Sequence, residues 1–115
     1  MVFLVELDQV KSGLTPTPEV GRMFIEQIMF PTFARAEQLI AEKKILAGGP
    51  VAGRISLRLM VEADSLEEVD RIISGLPLWR VAEARVTPLI TFNERRVHVQ
   101  ALLERLAERP SQEKV

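Results

Sequence analysis

The sequence predicts an α+β fold in which a four-stranded antiparallel sheet carries two helices on one side. Three observations lead there. Residues 54–63 alternate apolar and polar side chains, the period of a half-buried strand. Two stretches, Val20 to Ile40 and Leu66 to Leu76, place apolar residues at helical spacing. The segments follow the order strand, helix, strand, strand, helix, strand, with one more helix at the end, which is the split βαβ, ferredoxin-like arrangement. A chain of 115 residues and 13.0 kDa is long enough for one core and too short for two. One domain is therefore expected over 1–115, made of a unit over 1–92, a helix over 93–109 and a tail over 110–115.

The first strand is expected from Met1 to Leu7, with Phe3, Val5 and Leu7 on one face and Val2, Leu4 and Glu6 on the other. Turn residues fill Lys11 to Pro18. Thr17, Pro18 and Glu19 then read as an N-cap, a proline at the first helical position and an acid in the first turn. The first helix presents Val20, Phe24, Ile28, Phe33, Ala36, Leu39 and Ile40. Pro31 removes a backbone donor and disfavours helical geometry at Phe30, so a kink or break is expected between Met29 and Pro31. Lys43 and Lys44 suit the negative end of the helix. A weak edge strand follows from Ile45 to Val51, carrying Gly48-Gly49-Pro50.

The third strand runs from Arg54 to Ala63, with Ile55, Leu57, Leu59 and Val61 facing the core and Ser56, Arg58, Met60 and Glu62 facing away. Ser65-Leu66-Glu67-Glu68 forms a capping box, in which hydroxyl and carboxylate satisfy free backbone N–H groups reciprocally. The second helix then extends from Leu66 to Ser74 and ends at Gly75. The fourth strand is expected from Trp79 to Thr91, with Ala82, Ala84 and Val86 alternating with Glu83, Arg85 and Thr87. Asn93 is expected to cap the last helix, whose stripe is Val99, Leu102, Leu103 and Leu106. In a monomer one face of this sheet would leave Val2, Leu4 and Met60 in water, and an apolar face of that extent marks an interface. The last helix has no place in a two-layer unit either. The expected assembly is a homo-oligomer, at least a dimer through the sheet face, forming a dimeric α+β barrel.

Composition narrows the chemistry. With 47% hydrophobic and 27% charged residues and a net charge of -1, no positive field draws in nucleic acid or an anionic membrane. Cysteine is absent and histidine occurs once, which excludes thiolate catalysis and multi-histidine or cysteine-ligated metal sites within one chain. No signal-like or membrane-length apolar run exists, and the expected address is the cytoplasm. Gly48-Gly49-Pro50 lacks the pattern of a phosphate loop. His98 reads as a solvated residue, and Trp79, Phe24, Phe30 and Phe33 as core or interface.

Two segments, Ser74-Gly75-Leu76-Pro77-Leu78-Trp79 and Val86-Thr87-Pro88-Leu89, resemble the muconolactone delta-isomerase family, where a short helix ends in a Leu-Pro-Leu-aromatic turn and a strand ends near Val-Thr-Pro-Leu. The resemblance runs without a gap from Gly53-Arg54 to Leu89, roughly a third of the chain. Ala47-Gly48-Gly49-Pro50 is similar to the YCII-related proteins of the same fold. The resemblance implies a ferredoxin-like fold, dimers through the sheet that often build rings, and no cofactor. It also implies a reaction that moves a proton and a double bond in an unsaturated lactone of aromatic breakdown. The chain departs from the family at Glu6, where a basic residue is usual, at Arg85, where an acid is usual, at Leu57, where Asn is usual, and at Arg80-Val81, where Pro-Tyr is usual.

The strand alternation aims Glu6, Arg58, Met60, Glu83 and Arg85 at the open sheet face. Glu6 or Glu83 would shuttle a proton, Arg58 or Arg85 would clamp a carboxylate in a bidentate fork, and Met60 would touch the substrate. Glu6 and Arg85, with exchanged charges on adjacent strands, are expected within salt-bridge reach. The competing reading makes these groups ion pairs that fix dimer registry in a non-catalytic binding or assembly protein.

Overall fold

A computed structural model describes residues 1–10 and 17–108 of the chain; residues 11–16 of the turn expected over 11–18, and the tail expected over 110–115, lie outside them. Strand β1 (Val2–Gln9) occupies the middle of a four-stranded sheet of order β2-β3-β1-β4, between β3 (Ser56–Glu62) and β4 (Ala82–Leu89), with β2 (Ile45–Pro50) at the edge. Every pairing is antiparallel. The ferredoxin-like α+β expectation, its strand order and the edge position of β2 are borne out.

Alternation along β1 buries Phe3, Val5 and Leu7 completely, and β3 buries Leu57, Leu59 and Val61 beside them. Helices α2 (Phe30–Ala41) and α3 (Leu66–Ser74) close this face through Leu39, Val69 and Ile73. Ile55, expected on the core side of the third strand, precedes β3 and is 41% exposed. At β2, Gly48 takes a positive φ of 115°, and a Cβ there would meet the Arg58 carbonyl, so the close approach of β2 to β3 requires glycine.

Of the kink or break expected between Met29 and Pro31, the break does not occur and the helix widens over one turn. Helix α1 (Pro18–Phe24), capped by Thr17 accepting from the Val20 N–H, runs through a π-helical turn over Ile25–Met29 straight into α2. Phe30 keeps right-handed helical angles, and its N–H donates to the Ile25 carbonyl. The longer ring accommodates a proline that cannot donate, without ending the helix.

Two further corrections concern caps and turns. The fourth strand starts at Ala82 and not Trp79, because Pro77 opens a 3-10 turn over Pro77–Val81 in which the Trp79 N–H donates to the Leu76 carbonyl. The last helix, α4 (Phe92–Ala107), is capped by Thr91 and not Asn93: the Thr91 hydroxyl accepts from the Glu94 N–H and the Glu94 carboxylate reaches back to the Thr91 N–H. At α3 the box is only half formed. Ser65 accepts from the Glu68 N–H, but Glu68 turns to the Asp64 N–H and to Lys44 Nζ at 2.7 Å. That carboxylate ties the turn between α2 and β2 to the start of α3. It also holds itself below the usual carboxylate range, chiefly through Lys44.

Helix α4 does not cover its own sheet. Phe92 is 91% exposed, and Val97, Val99, Leu102, Leu103 and Leu106 are exposed as well. The described residues span 71 Å along their longest axis, far more than a two-layer unit of this size needs.

Candidate functional site

The site is assembled by register. The same alternation that buries Phe3, Val5 and Leu7 turns Glu6 and Asp8 to the uncovered face. Pairing with β3 sets Arg58 opposite Glu6 and Ser56 opposite Asp8; pairing with β4 sets Arg85 opposite Glu6 and Glu83 opposite Asp8. Arg54 joins from the turn between β2 and β3. Together Glu6, Asp8, Arg54, Arg58, Glu83 and Arg85 line a polar cleft of ≈ 290 Å³.

Within it the ion pairs are unevenly shared. Arg58 sits at the centre, with Nε 3.3 Å from a Glu6 carboxylate oxygen and Nη1 donating to Asp8 at 3.1 Å. Arg54 reaches the same Asp8 oxygen from outside, at 3.4 Å. Hydrogen bonds from the Ser56 hydroxyl and then from Arg58 hold the Asp8 carboxyl below its ordinary range. Asp8 therefore keeps its charge and makes a poor proton carrier. Arg85 and Glu83 form no ion pair among the described residues.

Of the residues anticipated from sequence, Glu6, Arg58, Glu83 and Arg85 meet in the cleft. Met60 shares the face but pairs with Leu4, two residues along the strands, and does not line the cleft. Glu6 and Arg85 stand opposite each other as expected, yet the expected salt bridge is absent because Arg58 takes Glu6. Asp8, Ser56 and Arg54 were not anticipated as site residues. Asp8 was within reach of the strand period, two positions beyond Glu6, but the expected strand stopped at Leu7. His98 lies exposed on α4. Among the described residues no group of three or more metal-ligating side chains is placed to hold a metal ion, and no helix is long and apolar enough to cross a membrane.

Three carboxylates and three guanidiniums at one end of a sheet can bind a small anion and move a proton beside it. Muconolactone isomerase superposes with a TM-score of 0.63 over 79% of this chain and 90% of its own, at 18% identity. The likeness is one of fold. A 5-chloro-2-hydroxyhydroquinone dehydrochlorinase from Burkholderia phenoliruptrix AC1100, solved in complex with 2,5-dihydroxybenzoquinone, gives a TM-score of 0.59 over 82% of this chain and 98% of its own, at 21% identity. No protein-family profile and no curated protein sequence matches the chain.

Proposed function

We propose that the protein is an isomerase of small unsaturated lactones or carboxylates, working by proton transfer without a cofactor. The observation that carries this is the cleft itself, where Arg85, free of any ion pair among the described residues, stands opposite the carboxylate of Glu6 with Glu83 two residues away on the same strand. The fold shared with muconolactone isomerase supports the reading. Arg85 clamps the substrate carboxylate. Glu6 or Glu83 takes a proton from the saturated carbon at one end of the double bond, the electron pair shifts into a conjugated dienolate held near Arg58, and the same carboxyl returns the proton at the other end of the conjugated system. Atoms balance, and the double bond has moved.

A second reading, a non-catalytic assembly or binding protein, is favoured by a separate observation, the exposed apolar residues of α4. Both readings take the protein as a cytoplasmic homo-oligomer, at least a dimer joined through the open sheet face, with α4 packed on the neighbour. The test is proton exchange: muconolactone incubated with the full chain in deuterated water and followed by NMR. Deuterium enters the substrate at an enzymatic rate, and Glu6→Gln or Glu83→Gln slows entry by about 10²–10⁴-fold, whichever is the base. No exchange with muconolactone and related lactones, at any protein concentration, leaves the assembly reading standing.

A further inference from the structure

A second cavity, of ≈ 50 Å³, opens on the helix side of the sheet at the same end as the cleft, and Arg54 lines both. Its other walls include Met29, Thr32, Phe33, Ile55 and Leu78, almost wholly apolar. We propose that this slot takes the short alkyl arm of a small carboxylate whose anionic end is held by Arg54 at the boundary with the cleft. The anionic end rests on the carboxylate reading of the cleft; the alkyl arm does not.

Arg54 can change partner at little cost. It holds Asp8 by one contact of 3.4 Å, whereas Arg58 holds the same carboxylate by two, at 3.1 and 3.4 Å, and keeps it engaged when Arg54 leaves. The Arg54 side chain is 60% exposed. The preceding Gly53, at a φ of 78°, sets the turn from which Arg54 projects, and the Arg54 N–H donates to the Val51 carbonyl at 3.3 Å. The slot is held from the other side. Met29 ends the π-helical turn, and the buried Thr32 hydroxyl accepts from the Leu78 N–H at 2.9 Å, fixing α2 against the 3-10 turn. An enclosed apolar cavity that admits benzene is about 150 Å³. The slot is a third of that and suits an alkyl group, not an aromatic ring.

The test uses the full chain with methionine methyl groups labelled with carbon-13, titrated with straight-chain carboxylates from acetate to hexanoate and with the matching primary alcohols. Met29 reports the slot and Met60 the open sheet face. The expected result is a saturable Met29 shift and an affinity that rises about fourfold per methylene until the slot is full, then levels off. Arg54→Ala should weaken the carboxylates by about tenfold or more and bring them level with the alcohols. Ile55→Phe, which narrows the slot and leaves every charged group in place, should abolish the dependence on chain length. No saturable Met29 shift, affinity independent of chain length, or a response confined to Met60 overturns the proposal. Failure of proton exchange with the slot response intact strikes only the isomerase reading.

Discussion

The two faces of the sheet are built from the same strands and have opposite fates. On the helix side Phe3, Val5 and Val61 are wholly out of solvent; one residue along, Val2, Leu4, Glu6, Asp8, Arg58 and Met60 keep partial exposure. One face supplies stability through close packing. The other, left uncovered by a two-layer unit, holds charged groups that a solid core would not tolerate unpaired. The charged cleft sits at the end of β1 near Asp8, and the apolar residues Val2, Leu4 and Met60 sit at the other end, beside Glu62.

Truncation on the two faces gives the largest contrast. Phe3→Ala should cost about 3–5 kcal/mol in urea unfolding, from lost burial plus the cavity left behind. Met60→Ala should cost under about 1 kcal/mol for an isolated subunit. A loss at Met60 that matches Phe3, and that grows with protein concentration, would mean the open face is covered by a second subunit in solution.

Deleting α4 after Ile90 sharpens the contrast with a smaller effect. Because α4 leaves its apolar residues exposed instead of packing them on its own sheet, removal should change subunit stability in urea by no more than about 0.5 kcal/mol. It should also lower the mass measured by light scattering after size-exclusion chromatography. A large loss of subunit stability, with mass per assembly unchanged, would place α4 against its own unit in solution.

Much of this architecture was legible because period and register do most of the work. Once β1 lies between β3 and β4, its alternation brings Glu6, Arg58, Glu83 and Arg85 to one face with no further information. Choice among partners was not legible. Glu6 has an arginine opposite it on each side, and only side-chain reach and the competing pull of Asp8 decide that Arg58 engages it. Pro31 likewise signals a lost hydrogen bond, but whether the helix breaks or widens depends on packing around Phe24 and Ile28, which rest against the core. The start of β4 was misplaced for a third reason. Pro77 can open a 3-10 turn or begin an extended segment, and the buried Leu78, anchored by Thr32, settles it.

The smallest expected effect is in acid and compares the two held carboxylates, Asp8 in the cleft and Glu68 at the start of α3. Asp8 is lowered from 3.8 by Ser56 and then Arg58, and Glu68 from 4.5 by Lys44 and then the Asp64 N–H. A carboxyl that titrates lower in the folded chain than in the unfolded one stabilises the fold above its unfolded pKa, and that contribution is lost as pH falls through the folded value. Both increments are therefore present at neutral pH and disappear as the medium is acidified below about pH 4. Side-chain exposure of 36% at Asp8 keeps its share small through solvent screening. Urea midpoints measured across this range should fall less steeply in Asp8→Asn and in Glu68→Gln than in the parent chain, with Asp8→Asn the weaker of the two. An Asp8→Asn profile that overlays the parent would show that Ser56 and Arg58 do not hold this carboxylate in solution, and that the centre of the cleft is looser than its geometry implies.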